Sequence, residues 1–234
     1  NQILKMWRWG VGREITRDAQ VRLLEEVRPL RAGKTAAQDR VKRRPVTKEE
    51  LAAVTAKTTS VVGDMLQLAW LTAMRPSEIC RMRPIDIIQD DSNCWLYVPG
   101  KDEGPVGDHK TAHHRRVRAI PLTNQAQNIL KPRMKDLEPS GIIFSPTTAV
   151  REMRDRHFGE RTTPIGSGNS EGTNRQLHPM IKPGNQYDTH AFNVAVKRAC
   201  DRAKVTRFTP YDLRRTAATR IRAQLSKDAA KLIL

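Results

Sequence analysis

The chain has 234 residues, and its 42 Lys and Arg outweigh 25 Asp and Glu to give a formal net charge of +17 at pH 7. That length holds one large domain, or one domain and part of another. So large a positive surplus repels itself unless a polyanion shares the surface, which points to nucleic acid, while no apolar run nears the ~20 residues needed to span a membrane.

Residues 1–30 are predicted helical, because Ile3, Leu4, Trp7 and Val11, and then Val21, Leu24 and Val27, recur at helical spacing. Trp7 and Trp9 read as the core of this segment. Residues 31–44 (RAGKTAAQDRVKRR) have no apolar periodicity and are rich in Lys and Arg, a linker composition that is either solvated or laid along DNA. Pro45 opens a new unit, with Thr47 and Glu50 spaced as a capping box. Residues 64–74 carry apolar side chains on all sides, which predicts a buried helix. Pro76 breaks it and starts a short helix with Ser77, Glu78 and Ile79, so Arg75 projects from the joint.

Residues 93–98 (NCWLYV) predict a strand ended by Pro99-Gly100. After a polar turn, residues 115–122 (RRVRAIPL) predict the next strand, with Val117 and Ala119 on one face and Arg116 and Arg118 on the other. Helices are expected over 124–137 and 148–158. Residues 162–188 are a long Gly-, Ser-, Asn- and Pro-containing loop, of a kind that is functional or disordered. Residues 190–203 form a helix through Phe192, Val196 and Ala199. The last helix starts at Thr209, a good N-cap ahead of Pro210, with Asp212 three residues on. Leu213, Ala217, Ile221 and Leu225 make its buried stripe, while Tyr211 and Arg214 share another face. The expected fold is α+β, mainly α-helical, with a small antiparallel sheet. Cys80, Cys94 and Cys200 are widely spaced and odd in number, which reads as reduced thiols in an intracellular protein. The chain begins without Met and ends on a helical pattern, so it is expected to be an excerpt of a longer protein.

Arg75 and Arg214 stand in similar contexts, each near a proline at the end or start of an apolar helix. Together with Lys110 ahead of a basic strand, these fixed cations suggest chemistry on a DNA phosphate. Three segments carry a more specific signal: Ala73-Met74-Arg75-Pro76-Ser77-Glu78-Ile79; His109-Lys110-Thr111 before the strand ending Ile120-Pro121-Leu122; and Thr209-Pro210-Tyr211-Asp212-Leu213-Arg214-Arg215-Thr216. In this order and spacing, residues 45–234 resemble the catalytic domain of the tyrosine recombinases, or phage integrases. Residues 1–44 resemble the last helices of that family's core-binding domain and its basic linker.

The resemblance implies a site-specific recombinase or integrase of a phage or mobile element, which breaks and rejoins double-stranded DNA through a 3′-phosphotyrosyl intermediate. It places Arg75 and Arg214 on the non-bridging phosphate oxygens, Lys110 as the acid for the leaving 5′-oxygen, and Glu78 as the residue that orients Arg75. It implies no metal and no other cofactor, since the cations come from the protein. A homotetramer on DNA and a cytoplasmic, nucleoid-associated location in a prokaryote follow from the same likeness.

Two departures stand out. Tyr211 occupies the position at which the family usually has His, and a phenol is a poor general base near neutral pH. The family's nucleophilic tyrosine has no counterpart here, because Tyr97 lies in a strand, Tyr187 in the long loop and Tyr211 on the wrong helix. The nucleophile is therefore expected outside this chain, and the fragment alone is expected to be inactive. Arg43, Arg44, His114, Arg115 and Arg215 are further candidate DNA contacts.

Plainer readings stand beside these. Arg75 could be a helix-end arginine paired with Glu78. Lys101 competes with Lys110, and Arg215 with Arg214. His109, His113 and His114 read better as surface residues than as a zinc site, since no Cys or carboxylate completes the set. A non-catalytic, sequence-specific DNA-binding protein derived from the same fold is the main alternative function. An aromatic content of 5% argues against RNA stacking platforms. A type IB topoisomerase would share the chemistry.

Overall fold

The protein is described here by a computed structural model covering residues 2–27, 33–34, 38, 44–90, 94–101, 118–162 and 182–224. Its contacts divide it into two units, Asn1–Arg43 and Arg44–Leu234.

In the first unit, the helical pattern of residues 1–30 resolves into α1 (Gln2–Val11) and α2 (Asp18–Glu25). The turn between them is tight. A Cβ on Gly10 would lie 2.9 Å from the Thr16 hydroxyl oxygen, and that hydroxyl donates to the Trp7 carbonyl at 3.0 Å. Arg8 and Glu25 pair across the two helices at 2.5 Å. Trp9 is 59% exposed, so it is not core. Residues two apart on a helix point to nearly opposite sides, and Trp7 and Trp9 cannot share one buried face. The Arg13 guanidinium lies over the Trp9 ring instead, 5.3 Å from its centroid.

The second unit is arranged around one helix. α3 (Lys48–Thr55) opens with the expected capping box, in which Glu50 N–H donates to Thr47 Oγ1 at 3.2 Å and Thr47 N–H to Glu50 Oε2 at 3.0 Å. α4 (Ser60–Thr72) begins one turn before the apolar run, at the Thr59 cap. Met65, Leu66, Leu68 and Ala69 are fully buried, and each large side chain among them contributes about 2 kcal/mol by leaving water. Such a helix needs neighbours on every side, and it packs against α3, α5 (Pro76–Cys80), α6 (Asn124–Met134), α7 (Pro146–Gly159), α8 (Thr189–Ala203) and α9 (Pro210–Gln224). It stops at Thr72 because Ala73 turns left-handed, with φ 55° and ψ 21°. Arg75 then caps α5.

A three-stranded antiparallel sheet covers one side, in the order β1 (Ile87–Gln89), β2 (Trp95–Tyr97), β3 (Ile120–Leu122). Ile87 pairs with Tyr97, and Tyr97 with Ile120. The fold is thus mainly helical with a small antiparallel sheet, as the patterning predicts. β1 has no counterpart in the sequence reading. It follows a 3-10 turn, Pro84–Asp86, whose Asp86 carbonyl accepts the Val98 N–H at 2.8 Å and draws the two strands together. Of the predicted strand 115–122, the ladder covers Ile120–Leu122, and residues 115–117 lie outside the described residues. Of the loop 162–188, residues 163–181 likewise lie outside them, while Tyr187 is buried and Asp188 caps α8 through the Ala191 N–H.

Candidate active site

The short helix α5 begins at a proline, so its first turn is pre-set, and its third residue is an acid that can close back on the cap. Glu78 does this: its Oε2 accepts the Arg75 backbone N–H at 2.7 Å. Its Oε1 accepts the Arg75 Nη1 at 2.6 Å. The helix-end pairing that the sequence allowed is therefore present.

A third residue joins the pair. Arg118 Nε donates to Glu78 Oε1 at 2.6 Å and its Nη2 to Oε2 at 3.3 Å. The carboxylate is only 2% exposed, and the Arg118 side chain 9%. Burial alone would push the Glu78 carboxyl upward, but the Arg118 charge and the hydrogen bonds from both arginines outweigh it and hold the group below its usual range. A buried carboxylate so coordinated stays ionised. The backbone of Glu78 is held too, since the Tyr97 hydroxyl donates to its carbonyl oxygen at 2.8 Å.

Arg214 comes from α9. That helix opens at Thr209, whose N–H and hydroxyl both donate to the Asp212 carboxylate, at 3.0 and 2.7 Å. Leu213 and Ala217 face the core. Two cations fasten α9 to α4: Arg214 Nη1 donates to the Ala73 carbonyl at 2.5 Å, and Arg220 Nη2 to the Trp70 carbonyl at 2.7 Å. Arg214 is 8% exposed. Its pKa falls to about 10, first through burial and then through the positive charges of Arg118 and Arg75, with Glu78 opposing. It remains a cation at neutral pH, but one held among like charges.

Two guanidiniums, from the α4–α5 joint and from just before β3, thus bind one buried carboxylate, and a third, Arg214 of α9, lies near enough to feel the charges of all three. Such a set can grip a tetrahedral oxyanion from several sides. The profile of the phage integrase family matches residues 47–231. The chain belongs to the phage integrase family.

Solved structures with the same fold include a lambda integrase tetramer bound to a Holliday junction, with TM-score 0.57 and 15% identity over 99% of this chain and 55% of that one. A lambda integrase dimer bound to a COC′ core site gives TM-score 0.55 and 16% identity, covering 97% and 51%. XerA recombinase gives TM-score 0.51 and 13% identity, covering 83% and 56%. The chain spans about half the length of these proteins.

For this integrase-family chain, the sequence reading named Arg75, Glu78 and Arg214, and the structure brings them together. It missed Arg118. The signal was available in the strand's period of two, because Ile120 and Leu122 are buried while Ala119 and Pro121 are exposed, and Arg118 shares the parity of the buried pair. Tyr211 is 46% exposed, with the Arg215 guanidinium 5.2 Å from its ring centroid. Arg215 is exposed and Arg214 buried, so the two neighbours on α9 occupy different settings.

Arg44 is exposed and donates through both guanidinium ends to the Glu50 carboxylate of the α3 cap. Lys110, Arg43, His114 and Arg115 lie outside the described residues, as do His109 and His113. Lys101 is described: its N–H donates to Asp86 Oδ1 at 3.1 Å, where Arg83 also binds through Nε and Nη2, each at 3.0 Å. Tyr97 is buried, and its phenol is pushed up by that burial. Tyr187 is pushed up to about 12, again first by burial. Among the described residues, no helix is long and apolar enough to cross a membrane, and no three His, Cys, Asp or Glu are grouped to hold a metal.

Proposed function

We propose that this chain is the catalytic domain of a site-specific DNA recombinase or integrase that works through a 3′-phosphotyrosyl intermediate. The observation that carries the reading is the pairing of Arg75 and Arg118 with the single carboxylate of Glu78, with Arg214 close enough to be influenced by all three. Cations pressed together in a buried setting are poorly placed for stability alone and well placed for a developing negative charge.

In this reading Arg75 and Arg214 bind the two non-bridging oxygens of the scissile phosphate. A tyrosine hydroxyl loses its proton to solvent as its oxygen attacks phosphorus in line, the bond to the 5′-oxygen breaks, and Lys110 gives that oxygen its proton. The new phosphotyrosyl ester keeps the energy of the phosphodiester, so the reverse attack by a 5′-hydroxyl rejoins DNA without a nucleotide cofactor. Glu78 orients Arg75, and the exposed Tyr211 hydroxyl donates to a phosphate oxygen. Arg43, Arg44, His114, Arg115 and Arg215 lie along the DNA backbone, where each neutralised phosphate releases counterions. Arg44 must exchange Glu50 for phosphate to do so. No metal is required, because the guanidiniums supply the charge.

Tyr97 and Tyr187 are buried with raised pKa values, and Tyr211 stands on α9 at the family's His position, so the nucleophile is assigned to none of the three and is supplied from outside these 234 residues. Double-stranded DNA is the substrate, a homotetramer on two duplexes the working assembly, and the prokaryotic nucleoid the setting. The test uses the protein in its full natural length and a nicked suicide duplex. An adduct that survives denaturation, mapped to a tyrosine by mass spectrometry, is the expected result. DNA binding with no adduct would favour the non-catalytic DNA-binding alternative.

A further inference from the structure

Glu78 sets a charge problem in the proposed site. A buried carboxylate bound to Arg75 alone would cancel the charge of half the phosphate clamp. We propose that Arg118 is a positioning residue for the phosphate site: it holds Glu78 from the sheet side and offsets its charge, so that the positive charge of Arg75 and Arg214 is kept for the phosphate. The inference rests on the phosphoryl-transfer reading above.

The geometry is that of a shared carboxylate. Oε1 lies between Arg75 Nη1 and Arg118 Nε, both at 2.6 Å, and Oε2 between the Arg75 N–H at 2.7 Å and Arg118 Nη2 at 3.3 Å. Arg118 therefore sets its positive charge against both oxygens of the carboxylate. These four side chains comprise three guanidiniums and one carboxylate, a surplus of two positive charges. A pentacoordinate phosphorane-like transition state gathers negative charge on its non-bridging oxygens, and that surplus is what it needs.

The sheet fixes Arg118 in this role. Ile120 and Leu122 on the same side of β3 are buried, and Ile120 stands opposite Tyr97, whose hydroxyl binds the Glu78 carbonyl. The sheet thus grips Glu78 by main chain and side chain together. Arg118 acts through Glu78 and does not itself need to touch DNA.

The test is charge rescue. The full-length protein is assayed for single-turnover attachment to a nicked suicide duplex as wild type, Arg118→Met, Glu78→Gln and the double variant, with thermal melting as a check on folding. Arg118→Met is expected to slow attachment by about 100-fold or more, on the scale of losing one transition-state donor. The double variant removes one positive and one negative charge together and is expected to recover to within about tenfold of wild type. Packing alone predicts no such recovery. Arg118→Met within about twofold of wild type, or a double variant as slow as Arg118→Met, overturns the proposal.

If Arg118→Met does not fold, Arg118→Lys decides, since it keeps the charge without the fork: near-wild-type attachment is expected, and a loss of about 100-fold refutes the charge role. If wild type itself forms no adduct, the transfer reading falls, and duplex affinity measured against salt still decides. Arg118→Met leaves Glu78 to neutralise Arg75, so one phosphate contact is lost and the slope of log K against log salt should fall by about one, while the double variant restores it. An unchanged slope counts against Arg118.

Discussion

Arg214 Nη1 donates to the carbonyl oxygen of Ala73 at 2.5 Å, across 141 residues of sequence and two residues before Arg75. This one bond places two guanidiniums from opposite ends of the domain side by side. It exists because Ala73 ends α4 in a left-handed conformation, so its carbonyl leaves the helical direction.

Replacing Arg75 or Arg214 by alanine should cost the full-length protein about 100-fold or more in covalent attachment, the scale of a lost oxyanion donor. Duplex affinity should fall only modestly, because many other cations remain. Gel quantification of the adduct beside a binding titration checks both halves, and adduct at wild-type level in both variants would remove the clamp assignment.

Ala73→Val places a β-branched residue at a left-handed position with no exposed surface. It should lower stability by about 2 kcal/mol and shift the carbonyl that holds Arg214. Urea unfolding measures the first effect and attachment rate the second. A variant of wild-type stability would mean the joint is softer than its geometry implies.

Glu78 has a folded pKa below its ordinary 4.5. Its ionised form therefore contributes stability that is fully present above 4.5 and is lost as pH falls through the folded value. Glu78→Gln should flatten the stability–pH curve on the acid side. Glu78→Ala, which leaves two part-buried guanidiniums without their carboxylate, should cost about 3 kcal/mol at neutral pH. Urea midpoints collected from neutral to acid pH test this, and a Glu78→Gln curve parallel to wild type would contradict it.

Tyr211→His puts an imidazole at an exposed position on α9, where no tight packing restricts the exchange. Attachment should be kept or raised, since imidazole titrates near neutral pH and phenol does not. Complete loss would reveal a specific role for the phenol, with the Arg215 stack the first place to look.

Duplex binding by the chain should weaken steeply with salt, as its net charge of +17 implies. A flat dependence between low and physiological salt would undercut the polyanion reading of that charge.

Much of the fold was legible in local pattern. The all-apolar run of α4, the capping box at Thr47 and Glu50, the Pro76 break and the Thr209 start are read from neighbours along the chain, and local hydrogen bonding enforces them. Helix ends shifted by a few residues where a cap or a left-handed residue decided the boundary, as at Thr59 and Ala73. β1 was not legible, because three residues of strand are made by their partner and not by their own pattern. Trp9 was misread because sequence adjacency was taken for a shared helical face.

Residue order alone makes the protein basic and mainly helical, with Arg75, Glu78 and Arg214 in segments that resemble those of a known family. Those are properties of composition, period and spacing, which need no knowledge of what packs where. Long-range packing is what turns Arg118 inward to share the Glu78 carboxylate and buries Arg214, not Arg215, beside Ala73. A strand's alternation says which side chains share a face but not which face meets the core, and a helix presents two adjacent arginines to different surroundings. The partner across the gap chooses, and that partner lies far away in sequence.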